Sequence, residues 1–229
     1  MSTTVHLIRH GEVYNPDKIL YGRMDGFRLS DRGQAQAATT AAALKDAGRD
    51  VVAVTASPLL RAQQTASAIG EAFNLPVASD DRLIEAGNTF EGTTVGARPL
   101  QLLNPRWWPL LRNPLRPSWG EPYLDQAQRV LAVVADVARA NVGHESVLVS
   151  HQLPIWVARL HIEGKRLWHD PRKRQCTLCS VTSLTFDDDA LAAGSLPVAG
   201  LAAALEGIDY SEPAAALSAT LSTDGWSVK

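Results

Sequence analysis

The hydrophobic residues of this chain form short, continuous runs that alternate with segments carrying helix signals. Three runs are typical of buried strands, and they lie at residues 5–8, 50–56 and 146–150. Ser30 is a predicted N-cap for a helix from Asp31 to about Ala47, which Gly48 ends. Strands without polar alternation are buried on both faces, so the pattern predicts an α/β sheet covered by helices.

Three further elements follow from local signals. Ser57 and Pro58 predict the start of a helix that runs to about Phe73, with Arg61 in its first turn. A third helix is predicted from Tyr123 to about Asn141, where Val residues recur at helical spacing. A fourth helix follows His151, which ends the strand at residues 146–150.

The last quarter of the chain has weaker signals. A β-branched segment predicts a strand over 177–186, and it places Cys176 and Cys179 as two buried thiols rather than a metal site or a disulfide. A returning strand is expected near 204–210. The rest of the Ala-rich tail, about 190–229, is predicted to be weakly structured.

The segment at about 98–122 is rich in Trp, Pro and Arg and differs from the rest of the chain. We interpret it as a cap inserted over the sheet, because such a composition does not suit a core element. The length of 229 residues fits one α/β domain, so the prediction is a single domain over 1–229 with this insertion.

Charge and composition limit the partners. The net charge is −2 and the hydrophobic content 45%, with no basic excess of the kind that nucleic-acid or membrane-surface binders show. The sequence shows neither a signal segment nor an apolar run long enough to span a membrane, so we expect a cytoplasmic protein. Exposed tryptophans in the 98–122 segment make a homodimer possible.

The candidate chemistry lies where predicted strands end. Arg9 and His10 follow the first strand, Arg61 opens a helix after the second, and His151 follows the third. Two guanidiniums suit the oxygens of a phosphate group. We predict that neutral His10 attacks phosphorus while protonated His151 stabilises the charge, which gives a phosphohistidine that water cleaves.

The departing alkoxide needs a proton, and a carboxyl group near anions could supply it. Glu85 is the favoured candidate, with Glu12 and Glu91 as alternatives. Other histidines, His144, His161 and His169, have no metal-ligand spacing, and the basic cluster Lys165, Arg166, Arg172, Lys173 and Arg174 is interpreted as a solvated face. No metal site is predicted.

Five motifs occur in order between residues 5 and 163. They are Arg9-His10-Gly11-Glu12, Leu29-Ser30-x-x-Gly33-x-x-Gln36-Ala37, Ser57-Pro58-Leu59-x-Arg61-Ala62-x-Gln64-Thr65-Ala66, Leu83-Ile84-Glu85 with Phe90-Glu91-Gly92, and Val149-Ser150-His151. Together they resemble the histidine phosphatase superfamily, which contains phosphoglycerate mutases and many phosphatases. The resemblance implies a phosphoglycerate mutase-like fold, a three-layer α/β/α arrangement with a mixed, mainly parallel sheet.

The same resemblance implies roles for particular residues. His10 would accept the phosphoryl group, Glu85 would donate the proton, and Arg9, Arg61 and His151 would form the phosphate pocket, without metal or cofactor. Asn15, Gly22 and Gln152 are further phosphate-binding candidates, Gln152 through its backbone N–H.

Some positions depart from the family pattern. Val13 and Pro16 stand where the family usually has Ser or Thr and Asn, and Asn15 lies one residue early. The long insert of the mutases, with its paired arginines, is not recognisable in 98–122, which favours a phosphatase.

Three hypotheses follow. The first is a metal-independent phosphatase that hydrolyses phosphomonoesters of a small acidic metabolite through a phosphohistidine on His10. The second is a phosphoglycerate mutase-type phosphotransferase. The third, suggested by the altered loop and the insertion, is a non-catalytic module that binds a phosphorylated ligand on the same fold.

Overall fold

The computed structural model describes residues 2–95, 103–105, 108, 120–192 and 198–219. Six strands of these residues form one sheet: β1 (Ser2–Arg9), β2 (Val51–Ala56), β3 (Val77–Ser79), β4 (Glu145–Ser150), β5 (Val181–Asp187) and β6 (Leu205–Ser211). Their order is β3-β2-β4-β1-β5-β6. Strands β1 to β4 run parallel, whereas β5 is antiparallel to both β1 and β6. The sheet is therefore mixed and mainly parallel, as the resemblance implies.

Helices cover both faces of this sheet. They are α1 (Asp31–Asp46), α2 (Leu60–Phe73), α3 (Tyr123–Ala140), α4 (Gln152–Ile162) and three short helices, α5 (Asp188–Ala192), α6 (Val198–Leu201) and α7 (Ala215–Ala219). One hydrophobic cluster joins α3 and α4 to Val5, Leu7 and Leu148, and a second joins α1 and α2 to Ile8, Val147 and Val149. Successive strand residues point to opposite faces, so both layers take residues from the same strands. The predicted three-layer arrangement is confirmed.

The start of α2 differs from the prediction. Ser30 caps α1 as expected, because its hydroxyl accepts a hydrogen bond from the Gly33 N–H at 3.0 Å. Helix α2, however, begins at Leu60 with Leu59 as its N-cap residue, so Ser57 does not cap it. The hydroxyl of Ser57 is 2.8 Å from a ring nitrogen of His151 instead.

Strand β5 begins at Val181, four residues later than predicted. The chain turns before it, with Cys179 at a φ of +54° and the Ser180 N–H donating to the Thr177 carbonyl at 3.2 Å. Cys176 and Cys179 therefore lie ahead of the strand. Both are buried and free of disulfides, as predicted.

The prediction of a weakly structured tail is wrong for residues 198–219. Strand β6 pairs with β5 from Leu205 to Ser211, where a returning strand is expected. Leu201, Ala204 and Ala214 are buried against the rest of the fold, so this part of the tail contributes to the core. Residues 193–197 and 220–229 lie outside the described residues.

Most of the predicted cap at about 98–122 also lies outside the described residues, which include only 103–105, 108 and 120–122 of this segment. Asn88 and Gly120 pair in an isolated antiparallel bridge, and the Glu121 N–H donates to the Gly87 carbonyl at 3.1 Å. A Cβ atom at position 120 would be 2.5 Å from the Gly87 carbonyl oxygen, so this close approach requires glycine. The segment that leads into α3 is therefore held against the loop that follows Glu85.

Over the described residues, no helix is both long and apolar enough to cross a lipid bilayer.

Candidate active site

The candidate residues meet at the carboxyl edge of the sheet. Strands β1 and β4 are parallel neighbours, and the His10 N–H donates to the Ser150 carbonyl at 3.1 Å. The chain then continues to α1 on one face after β1 and to α4 on the other face after β4. Such a switch point leaves a crevice in which open α/β sheets bind ligands. The ring centroids of His10 and His151 are 5.1 Å apart there.

The tautomer of His10 follows from its hydrogen bond. Nδ1 is 2.7 Å from the Gly11 carbonyl oxygen, which can only accept, so Nδ1 carries the hydrogen. Nε2 therefore holds a free lone pair. Burial lowers the pKa of His10 well below its ordinary value, and the charges of Arg9 and Arg61 lower it further. The ring is therefore neutral at neutral pH and has the free lone pair that a nucleophile needs.

Two guanidiniums lie beside this ring. Arg61 is 1% exposed, donates through Nη2 to the Gly22 carbonyl at 2.6 Å, and stacks 4.8 Å over the Tyr21 ring. Arg9 donates through Nη1 to the Cys176 carbonyl at 2.9 Å. The Nε atoms of both arginines are buried and have no hydrogen-bond partner in the described part of the chain. Cations with buried, unused donor groups favour an anion in the crevice.

His151 is completely buried and is positioned by Ser57, whose Oγ lies 2.8 Å from its Nε2. Its Nδ1 has no hydrogen-bond partner among the described residues and lies 3.9 Å from Oε2 of Glu85. Burial lowers the pKa of His151 well below its ordinary value, and the neighbouring His10 and Arg61 act in the same direction. These effects favour the neutral ring. A phosphate dianion beside it would raise the pKa again and favour the protonated form predicted from the sequence.

Glu85 has the environment of a proton donor. Burial raises the pKa of its carboxyl above the ordinary value, although the Ala86 N–H bond and the charges of Arg61 and Arg9 lower it. The Ala86 N–H donates to Oε1 at 2.8 Å, which leaves Oε2 for chemistry. Arg23 holds the backbone at this point, because its Nε donates to the Glu85 carbonyl at 2.7 Å.

The alternative carboxylates have structural partners. Glu12 accepts a hydrogen bond from the Ser30 hydroxyl at 2.9 Å at the start of α1. Glu91 accepts one from the Arg23 N–H at 3.0 Å. Neither is among the described residues that line the crevice.

The crevice has a volume of about 260 Å³. Its described lining residues are Arg9, His10, Leu20, Tyr21, Gly22, Glu85, Ala86, Asn88, Gln152, Leu153 and Arg174. Arg61 and His151 lie beneath this surface, next to Gly22 and His10 respectively. The structure thus brings together the five predicted catalytic residues with Gly22 and Gln152.

Asn15 is placed elsewhere. Its side-chain amide donates to the Ile19 carbonyl at 2.8 Å and accepts from the Ile19 N–H at 3.2 Å, so both of its polar groups close a loop. Asn15 does not belong to the described lining of the crevice. Its assignment as a phosphate ligand has no support from this geometry.

Two residues at the site escaped the sequence analysis. Ser57 was assigned to helix capping, and only the contact between strand ends reveals its bond to His151. Arg174 was grouped with a solvated basic cluster, yet it lines the crevice. Its position in the sequence was one available signal. Arg174 comes shortly before the turn at Cys176–Cys179, and this turn brings the chain back to the sheet edge beside Arg9.

Within the described residues, no group of three or more His, Cys, Asp or Glu side chains is arranged to hold a metal ion. The metal-independent reaction remains a prediction.

A neutral imidazole with a free lone pair, a buried and a half-buried guanidinium and a carboxyl of raised pKa are typical of proteins that transfer phosphoryl groups through histidine. The family model of the histidine phosphatase superfamily, branch 1, matches residues 5–196. The chain belongs to this superfamily, which confirms the resemblance found in the motifs.

Individual relatives agree with this assignment. The uncharacterized protein Rv0525 of Mycobacterium tuberculosis is 56% identical over 189 residues, which cover 82% of this chain and 93% of that protein. The 2,3-bisphosphoglycerate-dependent phosphoglycerate mutase of Thermoplasma acidophilum is 34% identical over 154 residues, covering 66% of this chain and 72% of that enzyme. The solved structure of the mycobacterial glucosyl-3-phosphoglycerate phosphatase Rv2419c has a TM-score of 0.67 and 25% identity, covering 81% of this chain and 91% of that one.

Proposed function

We propose that the protein is a metal-independent phosphatase that hydrolyses phosphomonoesters of a small acidic metabolite through a phosphohistidine on His10. The observation that carries the proposal is the hydrogen bond from His10 Nδ1 to the Gly11 carbonyl. Because Nδ1 holds the hydrogen, the lone pair of Nε2 is free to attack phosphorus. Arg9 and Arg61 supply fixed positive charge next to it.

The first step forms a bond between His10 Nε2 and phosphorus while the bond from phosphorus to the leaving oxygen breaks. The protonated carboxyl of Glu85 gives its proton to that oxygen, so the product leaves as a neutral alcohol. Arg9 and Arg61 hold the phosphoryl oxygens. His151 donates from Nδ1, because its Nε2 faces Ser57.

The second step returns the enzyme to its starting state. The carboxylate of Glu85 takes a proton from a water molecule, whose oxygen attacks phosphorus. The bond between phosphorus and His10 Nε2 breaks, phosphate departs, and Glu85 is protonated again.

A phosphatase is favoured over a mutase because the paired-arginine insert of the mutases is not recognisable in the sequence of 98–122. The fold also matches a solved phosphatase over 81% of the chain. One observation favours the second candidate, a mutase-type phosphotransferase: the 34% identity to the Thermoplasma acidophilum mutase.

The proposal also covers the location of the protein, its binding partner, the 98–122 segment and the oligomeric state. We propose a cytoplasmic location and a phosphorylated small molecule, rather than nucleic acid or membrane, as the partner, given the net charge of −2. The segment at about 98–122 is proposed as a substrate cap because of its content of Trp, Pro and Arg. A homodimer is also proposed, because Trp108 and Trp168 are 61% and 56% exposed.

The test is hydrolysis of a generic aryl phosphate in EDTA by the wild type, His10→Ala and the control His144→Ala. His144 is an exposed histidine that pairs with Asp50 on another edge of the molecule. We expect turnover to be lost in His10→Ala and kept in the control, and a phosphoryl adduct on the peptide that contains His10. Full turnover by His10→Ala would refute the proposal, and transfer of phosphate between two positions of a sugar acid without release would favour the mutase.

A further inference from the structure

One cation in the wall of the crevice is not used by the proposed reaction. Arg174 lines the same crevice as Arg9, His10 and Glu85. Its Nη1 donates to Oε1 of Gln152 at 3.4 Å. The Gln152 amide in turn donates to the Cys176 carbonyl at 3.3 Å, the same oxygen that accepts from Arg9 at 2.9 Å. Arg174 is therefore linked to Arg9 through the Gln152 side chain and the Cys176 carbonyl.

The orientation of Arg174 is fixed from its other side by His169. Nδ1 of His169 is 2.7 Å from the Leu167 carbonyl oxygen, so it carries the hydrogen and Nε2 is an acceptor. The Arg174 Nε donates to this Nε2 at 2.8 Å. The His169 ring is packed between Tyr123 and Trp156, with ring centroids 5.6 Å and 6.0 Å away.

Neutral groups hold this guanidinium, and that is unusual for a partly buried cation. Within the described residues no carboxylate lies within ion-pair distance of Arg174, whereas nearby Arg172 pairs with Asp170 at 2.9 Å. Burial lowers the pKa of Arg174 below its ordinary value, although Tyr123 and Glu85 act in the opposite direction. The arrangement keeps a desolvated positive charge facing the crevice.

The charge on the reacting phosphate does not account for this third cation. A phosphate dianion carries two negative charges, and Arg9 and Arg61 supply two positive charges beside His10. Glu85 is neutral while it acts as the acid. The charge of Arg174 is therefore available to a second anionic group.

We propose that Arg174, oriented by Gln152 and His169, binds a carboxylate on the leaving-group part of the substrate. This inference rests on the proposed function and narrows its substrate class to phosphomonoesters of small hydroxy acids or amino acids. A guanidinium fork matches a carboxylate with two parallel hydrogen bonds. A crevice of about 260 Å³ leaves room for an acid of a few carbons and not for a macromolecule.

The first measurement compares kcat/KM for O-phosphoserine with kcat/KM for phenyl phosphate, which has no carboxylate. Hydrogen bonds to charged groups contribute about 1.5 to 3 kcal/mol, so Arg174→Gln should lower the ratio of the two values roughly 10- to 100-fold. The change should lie mainly in KM. Arg174→Lys keeps the charge without the fork and should be intermediate, and Arg172→Gln is the matched control outside the crevice.

The second measurement separates the subsite from turnover. His10→Ala and His10→Ala/Arg174→Gln are titrated with O-phosphoserine and with phenyl phosphate by calorimetry. Selective loss of O-phosphoserine affinity in the double variant would support the subsite even if the wild type hydrolyses nothing, in which case only the proposed function fails. If the wild type hydrolyses both esters and the Arg174 variants leave the ratio within twofold of the wild type, the subsite is refuted while the phosphatase stands.

Discussion

Replacing Glu85 by glutamine removes the proposed acid and changes little else. The Ala86 N–H donates to Oε1 at 2.8 Å, a bond that a glutamine oxygen keeps, so the substitution alters only the group at the Oε2 position. General acid–base catalysis contributes about 10²- to 10⁴-fold. This factor corresponds to about 3 to 5 kcal/mol of barrier. We therefore expect kcat on an alkyl phosphate to fall by this factor in Glu85→Gln.

The loss should depend on the leaving group. An aryl oxide is stable without a proton, so Glu85→Gln should still form the phosphohistidine from an aryl phosphate and release a burst of phenol before slow turnover. The assay is rapid-quench kinetics on an alkyl and an aryl ester side by side. Glu12→Gln serves as the control, because that carboxylate bonds to Ser30 outside the crevice.

The dependence of kcat/KM on pH tests which protonation state of His10 and of Glu85 the reaction needs. His10 must be unprotonated, and its pKa is lowered, so kcat/KM should rise with pH through a value below that of an ordinary imidazole. Glu85 must be protonated in the first step, and its pKa is raised, so the rate should fall as pH rises through a value above that of an ordinary carboxyl. The decrease of the rate at high pH, the alkaline limb, should be absent in Glu85→Gln. Any pH dependence that comes from ionisation of the substrate should be the same in the wild type and the variant. An alkaline limb that persists in the variant, or equal losses in the rate of phosphohistidine formation from both esters, would refute the role of Glu85.

Three further substitutions test the supporting structure. Ser57→Ala removes the hydrogen bond to His151 and should lower kcat/KM about threefold to tenfold. Ser57→Thr keeps a hydroxyl and should retain most of the wild-type kcat/KM. Unchanged kinetics in Ser57→Ala would contradict the positioning role. Gly22→Ala places a Cβ against the Glu91 carboxylate at a positive φ, so urea unfolding should show a loss of about 1 to 3 kcal/mol. Leu148→Ala opens a cavity in a fully buried strand and should cost about 2 to 5 kcal/mol by the same measurement; a loss below 1 kcal/mol would contradict the described core.

The fold and the centre of the site could be predicted because both depend on short-range signals. Continuous apolar strands identify the sheet, and Arg9, His10 and His151 come directly after such strands. Parallel strands that lie side by side bring their carboxyl ends together, so residues about 140 positions apart in sequence meet. Gly48 and Ser30 mark the ends of α1 for equally local reasons.

The remaining features depend on contacts between distant elements, which local patterns do not contain. Ser57 has the sequence signature of an N-cap, but the adjacent strand end presents His151 to its hydroxyl. Arg174 has the neighbours of a solvated cluster, yet the turn at Cys179, with its positive φ, directs the chain past the crevice. Asn15 lies near the expected phosphate ligand in sequence, but its amide bonds to Ile19 within its own loop.

The bridge between Asn88 and Gly120 has a consequence for how the crevice keeps its shape. Glu121, the residue after the bridge, accepts a hydrogen bond from Nη2 of Arg23 at 2.9 Å, and the same guanidinium donates through Nε to the Glu85 carbonyl. The segment that leads into α3 is therefore connected to the loop that carries Glu85. Substitutions at Gly120 or Glu121, neither of which belongs to the described lining of the crevice, should disturb the geometry around Glu85 from a distance.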